Sequence, residues 1–239
     1  MPAEPKQPSV EIAPVPRLER VTSDLRNQIV SGRLAPGQKL RAEELAAGLG
    51  VSPTPIREAF QRLAGEGLIA YSAQRGVRVA PLTRRELLEL YEIRCQLEPW
   101  ALERSIHNMD APGRAAIKAA LKDLIEWYGG DLFDRADPAY EEAHRAFHRA
   151  LLAGCDSDWL LRLVEMLSAA AMRYRNLGSG TSLEAARYEH EQLAKLVLDG
   201  STELATAALV AHLGGTQLRA LQALSHGAAT AQATDADIA

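Results

Sequence analysis

Four of the six histidines of the chain have positions that suit a metal site. His144 and His148 are four residues apart in a predicted helix, so their rings project from the same face. His190 and His212 lie near the middles of the last two long helices predicted along the chain. Antiparallel packing of these helices would bring the four imidazoles together, and imidazole suits Zn²⁺, Ni²⁺, Cu²⁺ and Fe²⁺. The alternative is that each histidine is an ordinary core or surface residue.

A second candidate site lies in residues 40–79, which have the pattern of a winged helix–turn–helix. One helix is predicted over residues 42–49, and Gly50 ends it as a residue that accepts positive φ. Ser52 is an expected N-cap and Pro53 the first residue of the second helix. Two short strands then enclose a basic turn at residues 74–76. This arrangement leaves the start of the second helix free to enter the DNA major groove.

The candidate DNA contacts are the polar residues of the second helix and of the wing tip. Arg57 is expected to reach a base edge or a phosphate. The remaining candidates, which are expected to contact the DNA backbone, are Ser52, Thr54, Arg75 and Gly76. The alternative for each is a solvated surface residue.

Composition limits the class of protein. The chain has 239 residues, of which 47% are hydrophobic, enough for two modest domains with buried cores. It has no long uncharged apolar run and no apolar segment near its start, so neither a transmembrane helix nor a signal peptide is predicted. Its two cysteines, Cys95 and Cys155, give no disulfide framework and fit a reducing compartment. We therefore expect a cytoplasmic protein without a membrane partner.

Charge and periodicity divide the chain into two domains. Residues 1–80 hold 11 of the 27 Lys and Arg residues but only 8 of the 31 Asp and Glu residues, so the first part is basic and the remainder acidic. The first 16 residues are expected to be a disordered tail, followed by a DNA-binding domain over 17–80. Six helices are predicted over 83–225, with a flexible tail over 226–239. The expected fold is mainly α, a winged helix–turn–helix followed by a six-helix antiparallel bundle.

Four segments carry a resemblance to a known family. The segment SPTPIREAFQRLAGEGLI, followed by an Arg-Gly turn, resembles the winged helix–turn–helix of the GntR superfamily of bacterial transcriptional regulators. The helical part resembles the FCD ligand-binding domain of the FadR-like branch of that superfamily. The segments that carry this second resemblance are YEIRCQLEPWAL, AFHRALLAGCDSDWLLRL and EHEQLAKLVLDGSTELATAALVAHL.

The resemblance implies a metal held by an aspartate, the histidine four residues after it, and one histidine from each of the last two long helices. His148, His190 and His212 match these histidines, while His144 stands where the family usually has aspartate. Four neutral imidazoles would leave the full charge of the ion uncompensated and would favour Zn²⁺, or alternatively Ni²⁺, over Mn²⁺ and Mg²⁺. A site of three histidines and a water, without His144, is the alternative.

The resemblance also implies a small-molecule effector and a DNA site. Arg94 matches an arginine that faces the family's ligand pocket, and its guanidinium can bind a carboxylate bidentately. The alternative for Arg94 is an ion pair with Glu98. Arg173 and Asn176 are further candidates for the pocket wall. Pro53 stands where the family commonly has an arginine that contacts DNA, so part of the base preference is expected to differ.

Two functional classes compete. The first is a transcriptional regulator, expected to be a repressor, that binds a palindromic operator as a homodimer and responds to a small carboxylate. Leu87, Leu88 and Leu90 are candidates for the dimer contact or for the core. The second class is a metal-dependent hydrolase with an accessory DNA-binding module, but Arg145 stands where an HExxH motif needs its glutamate. A structural DNA-binding protein without a ligand is a third interpretation.

Overall fold

The computed structural model describes residues 17–72, 76–129, 137–177 and 183–236, with side chains described as far as residue 225. These residues form nine α-helices and one two-stranded sheet. The first domain contains α1 (Arg17–Val30), α2 (Ala42–Leu49), α3 (Pro53–Gly65), β1 (Ile69–Ser72) and β2 (Gly76–Val79). The second contains α4 (Arg84–His107), α5 (Ala111–Tyr128), α6 (Pro138–Leu152), α7 (Asp158–Arg175), α8 (Leu183–Leu198) and α9 (Thr202–Ala236). A short 3₁₀ helix, Ala153–Cys155, joins α6 to α7.

The first domain packs α1, α2 and α3 around one small core. Ile56, Phe60 and Leu63 lie on the buried face of α3 because they recur at helical spacing. Arg26 of α1 binds both carboxylate oxygens of Glu66, at 2.8 and 2.6 Å, which fixes α1 against the end of α3.

The wing is an antiparallel pair in which Ile69 lies opposite Val79 and Tyr71 opposite Val77. An isolated bridge between Lys39 and Arg78 attaches the segment before α2 to the second strand. The wing is therefore tied to the helix–turn–helix through the backbone.

The turn between α2 and α3 has the predicted backbone. Gly50 adopts φ 65°, and its N–H lies near the carbonyl oxygens of Ala46 and Ala47 at the end of α2. Pro53 is the first residue of α3 and Ser52 precedes it, but the Ser52 side chain makes no capping hydrogen bond. The hydroxyl of Ser52 therefore remains on the exposed side of the turn.

The second domain is a helical bundle in which α4 and α7 run antiparallel. At one end, Arg104 of α4 donates to the carbonyl oxygens of Cys155 and Asp156, just before α7. At the other end, the hydroxyl of Tyr174 donates to Glu86 at 2.5 Å. The fully buried residues of the bundle, including Leu87, Leu102, Ile117, Leu124 and Phe147, are shared among α4, α5 and α6.

The predicted mainly helical class, with a winged helix–turn–helix ahead of a helical domain, is confirmed. The helix predicted over residues 42–49 has those ends, and six α-helices follow residue 83 in the described chain as predicted, but the last of them is longer than expected. α9 continues past the expected end near residue 225 to Ala236, because alanine-rich sequence favours helix and no proline interrupts it. None of the described helices is both long and apolar enough to cross a membrane.

The last turn of α7 contacts the first domain. Arg173 donates a hydrogen bond to the carbonyl oxygen of Ala80, at the start of the segment between the domains. Asn176 donates to the carbonyl oxygen of Val30, the last residue of α1, at 3.0 Å. The backbone N–H of Thr83 donates to the Tyr174 hydroxyl at 3.2 Å. Arg173 and Asn176, at one end of α7, thus hold the first domain.

Candidate functional site

The structure brings His144, His148, His190 and His212 together from three helices. One ligand nitrogen from each can be chosen so that all four lie within 4.8 Å of one another. His144 and His148 occupy successive turns of α6, while His190 and His212 extend from α8 and α9. The cluster forms because His144 and His148 are four residues apart on α6 and because α8 packs against α9.

Hydrogen bonds to the Nδ1 atoms orient the rings of His190 and His212. The Nδ1 atom of His190 lies 2.6 Å from the carbonyl oxygen of Ala186 and 3.2 Å from the hydroxyl of Tyr128. The Nδ1 atom of His212 lies 2.9 Å from a carboxylate oxygen of Glu189. Such partners hold the Nδ1 proton and leave Nε2 as the atom that faces the cluster, which is the usual arrangement around metal-binding histidines.

Of the remaining two rings, His144 is buried and His148 is half-buried, and both are uncharged at neutral pH. Burial holds the pKa of His144 well below the ordinary range for histidine, and the charge of Arg175 lowers it further. Burial likewise lowers the pKa of His148, with the neighbouring imidazoles His212 and His190 adding to the effect. Among the described residues, the Nε2 atom of His148 is buried and has no hydrogen-bond partner. A neutral, buried and unpartnered imidazole nitrogen is what a metal ligand requires, so these residues fit a transition-metal ion.

A cavity of about 400 Å³ opens beside the histidines. His144, His148 and His212 lie in its wall. Part of its wall is apolar, and the residues of that part are Leu152, Leu161, Val164, Ala171, Met172 and Leu213. Its wall also contains arginines and glutamates. The volume suits a small organic molecule with a charged end and a carbon skeleton.

Arg94 lies in the cavity wall, as the family resemblance implied, and it also makes the predicted alternative contact. Its Nε atom is 2.6 Å from Glu98, and both side chains are buried. The guanidinium also lies over the ring of Tyr91, 4.8 Å from its centroid. The cation is therefore neutralised by Glu98 and oriented by Tyr91.

Arg175 is a cavity residue that sequence reasoning missed. It forms an ion pair with Glu141 of α6 and contacts the ring of His144. Within the described part of the chain, its Nε atom is buried and lacks a hydrogen-bond partner. The only sequence signal was the pair of arginines at 173 and 175, and helical spacing alone does not tell which of them faces the cavity.

The structure places Arg173 and Asn176 away from the cavity. Their hydrogen bonds go to Ala80 and Val30 at the domain junction, and neither residue is in the cavity wall. A step of one or two residues turns a helix by about 100° or 200°, so the residues on either side of Arg175 face elsewhere. Their assignment to the pocket wall is corrected to a role between the domains.

Four of the five predicted DNA-contact residues belong to the described part of the first domain. Ser52, Thr54, Arg57 and Gly76 are all exposed, and Arg75 lies outside the described residues. Arg57 makes an ion pair with Glu43 of α2 at 2.5 Å, and about 60% of each side chain remains exposed. This pair orients the guanidinium at the start of α3 and leaves it accessible to a phosphate or a base.

Comparison with known families identifies both halves of the chain. The profile described as "Bacterial regulatory proteins, gntR family" matches residues 17–79. The profile of the FCD domain matches residues 89–215.

Comparison with individual proteins gives similar regulators over most of the chain. The HTH-type transcriptional repressor GlaR of Escherichia coli is 30% identical over 195 residues, covering 79% of this chain and 89% of GlaR. The probable D-xylose utilization operon transcriptional repressor of Paenarthrobacter nicotinovorans is 32% identical over 206 residues, covering 82% and 88% of the two chains. The solved structure of E. coli McbR/YncC has the same fold, with a TM-score of 0.71 at 23% identity, covering 87% of this chain and 99% of that chain.

Proposed function

Because the chain belongs to the gntR family of bacterial regulatory proteins and carries an FCD domain, we propose that it is a repressor whose operator affinity is controlled by a small organic acid. Its relatives are transcriptional regulators, so the chain is a regulator of transcription and not an enzyme. Arg145 in place of the glutamate of an HExxH motif agrees with this assignment.

The observation that carries the effector proposal is a pair of buried polar atoms at the cavity. Nε2 of His148 and Nε of Arg175 lack hydrogen-bond partners within the described residues, and both side chains lie in the cavity wall. Leaving such groups unsatisfied costs about 1–3 kcal/mol each, which supports a metal ion on His148 and an anion beside it on Arg175.

We assign His148, His190 and His212 to a divalent transition metal, with His144 beside them. Nitrogen ligands and the lack of a carboxylate among them favour Zn²⁺, with Ni²⁺ as the alternative. When bound, the ion would supply a positive charge and an open position for a carboxylate oxygen. His190 and His212 are held for this role by Ala186 and Glu189.

The effector is a small carboxylate. Arg94 and Arg175 lie in the wall of the same cavity, each already paired with one glutamate, so they can orient an anion without adding a large uncompensated charge. The apolar part of the cavity wall, with Leu161 and Val164, would contact the carbon skeleton. An acid of a few carbons fits the volume of about 400 Å³.

The effect of effector binding would be transmitted to the DNA-binding domain through the end of α7. Arg175 faces the cavity, and its neighbours Arg173 and Asn176 hold Ala80 and Val30 of the first domain. A displacement of this helix end would change how the domain is held. Arg173→Met is expected to retain effector affinity but to reduce the effect of the effector on operator binding. An unchanged operator response would place the coupling elsewhere.

The protein is expected to act as a homodimer on a palindromic operator, since one helix and one wing cover only a half-site. Leu87 and Leu90 belong to the core, which leaves Leu88 as the exposed member of the predicted set. Helices α4 and α7 carry further large hydrophobic residues that are more exposed than Leu88, and we assign the dimer contact to them: Ile93, Trp100, Trp159, Leu163 and Met166.

Calorimetry tests the effector proposal directly. The panel is D-gluconate, L-malate and succinate, which represent sugar acids, hydroxy acids and dicarboxylates. The best of them should bind wild type at least about tenfold more tightly than Arg94→Ala, Arg175→Gln or chelator-treated protein. Arg85→Ala, an exposed arginine paired with Glu89, is the matched control and should bind as wild type does. Equal binding by all samples would remove the metal and both arginines from the effector site.

A further inference from the structure

Tyr91 is a residue of the cavity wall whose hydroxyl group has no partner. Its side chain is 1% exposed and lies in the wall of the same cavity as Arg94. Within the ranges that the structure describes, the hydroxyl oxygen is buried and makes no hydrogen bond. A buried tyrosine hydroxyl usually finds a partner, so a molecule that binds in the cavity is expected to supply one.

The cationic neighbours of Tyr91 leave its proton without an acceptor. The guanidinium of Arg94 lies over the ring, 4.8 Å from its centroid. Burial raises the pKa of Tyr91, and the charges of Arg94 and Arg175 offset only part of that rise, so the phenol lies near both arginines and stays protonated at neutral pH. A guanidinium only donates hydrogen bonds, so neither arginine can accept the proton of the hydroxyl group. The missing partner is therefore an acceptor.

Glu98 adds an acceptor of its own to this part of the cavity. It follows Tyr91 by seven residues on α4, so helical spacing places both residues on one face together with Arg94. Its side chain is 2% exposed and lies in the cavity wall. Arg94 binds its Oε1 atom at 2.6 Å, which leaves Oε2 as an acceptor on the same carboxylate. Because two carboxylates repel each other, Glu98 does not suit an acid group of the effector, but it does suit an O–H group.

We propose that Tyr91 and Glu98 bind a hydroxyl group of the effector, which is therefore a hydroxy acid. This inference rests on the proposed function and names the class of acid. The hydroxyl oxygen accepts from Tyr91 and donates its own proton to Glu98, while the neighbouring carboxylate binds Arg94 and Arg175. An acid without the hydroxyl group leaves the buried O–H of Tyr91 unpaired, which lowers its affinity.

Pairs of acids that differ by one hydroxyl group test the proposal at constant charge. The pairs are L- or D-malate with succinate, L- or D-lactate with propionate, and D-gluconate with its 2-deoxy analogue. Each acid is titrated by calorimetry into full-length wild type, Tyr91→Phe, Glu98→Gln and Tyr188→Phe, all loaded with Zn²⁺. Tyr188→Phe makes the same chemical change at a residue that is 63% exposed on α8, so it is the matched control.

In the pair that binds most tightly, wild type should prefer the hydroxy acid by about thirtyfold or more. Tyr91→Phe should reduce this preference about tenfold by weakening the hydroxy acid alone, whereas a tyrosine that only packs against Arg94 would weaken both acids equally. Glu98→Gln should also reduce the preference, because loss of a negative charge favours both acids while a neutral amide is a weaker acceptor. Tyr188→Phe should keep the preference of wild type.

Tight binding of an acid without preference for its hydroxyl group, or an unchanged preference in Tyr91→Phe, would overturn the hydroxyl site and leave the proposed function intact. If none of the acids binds wild type, the effector of the proposed function fails, and this inference fails with it. Circular dichroism without ligand checks that each variant is folded, and the preference of wild type tests the proposal even if a variant is not.

Discussion

Burial is the property that makes His144 and His148 suitable ligands, because it keeps their rings uncharged at neutral pH. A surface histidine such as His107 has no such environment. The sequence predicted which histidines would meet, since a spacing of four residues on one helix and mid-helix positions on two others are visible without coordinates. It could not predict that Arg175 contacts His144, because that contact depends on how α7 is rotated against α6.

The metal assignment predicts the effect of removing single ligands. His148→Ala, His190→Ala or His212→Ala should lower metal content from about one ion per chain and lower the melting temperature, because an ion that binds only the native state stabilises it. Metal content by mass spectrometry and melting by circular dichroism measure the two effects. His107→Ala, at an exposed position, is the control and should match wild type. Full occupancy in the His190→Ala, His212→Ala double variant would contradict the assignment.

The lowered pKa values of His144 and His148 predict a pH dependence of the metal-free protein. The unfolded chain protonates these rings near pH 6.5 while the folded chain keeps them neutral, so the unfolded state binds more protons. The free energy of unfolding should therefore fall as pH drops below about 6.5, by up to about 1.4 kcal/mol per pH unit for each histidine. Urea titrations of wild type and His148→Gln between pH 7.5 and 5.5 measure this. A loss no smaller in His148→Gln than in wild type would contradict a role for His148.

At the scale of single elements, α3 is the part of the molecule expected to read DNA. Because Ile56 and Phe60 are buried, the opposite face of the helix points to solvent. The ion pair with Glu43 orients the guanidinium of Arg57 on that exposed face. These features could be predicted because helical periodicity separates a buried face from an exposed one. The pairing of Arg57 with Glu43 could not be predicted from periodicity, because it joins residues of two helices.

Arg57→Ala should weaken binding to the specific operator by about 1–3 kcal/mol if the guanidinium makes a bidentate base contact. Fluorescence anisotropy with an operator selected from genomic fragments measures this, and the affinity should fall steeply with salt because phosphate contacts release counterions. Arg85→Ala, which changes an exposed arginine of the helical domain, should bind as wild type does. Equal operator affinity for Arg57→Ala and wild type would mean that another element reads the bases.

The end of α7 shows where element-level prediction fails. The helix is one of the six predicted over residues 83–225, and the Ser157 hydroxyl caps its start by accepting a hydrogen bond from the backbone N–H of Leu160. The sequence did not predict which residues of its last turn face the cavity, because Arg173, Arg175 and Asn176 are similar polar residues within four positions. Only tertiary packing decides that Arg175 faces the cavity while Arg173 and Asn176 hold the first domain.

At the scale of the whole molecule, dimerisation determines whether two DNA-binding domains can reach both half-sites. Trp159→Glu should convert the proposed dimer to monomer at micromolar concentration and weaken operator binding, because Trp159 is 74% exposed on the assigned face. Leu204→Glu alters a residue that is 62% exposed on α9 and should leave the dimer intact. Light scattering on both variants decides the point. A Trp159→Glu protein that remains dimeric would move the contact to another surface.

The central claim is that an anion held beside the metal controls binding to DNA. The most direct measurement is operator anisotropy with metal-loaded and chelator-stripped protein, each titrated with the carboxylate that binds best in calorimetry. The account predicts release of the operator from the loaded protein, and release from the stripped protein only at concentrations about tenfold higher or more, since the effector shifts DNA affinity only through its differential binding. Release at the same carboxylate concentration from both forms, or from neither, would contradict it.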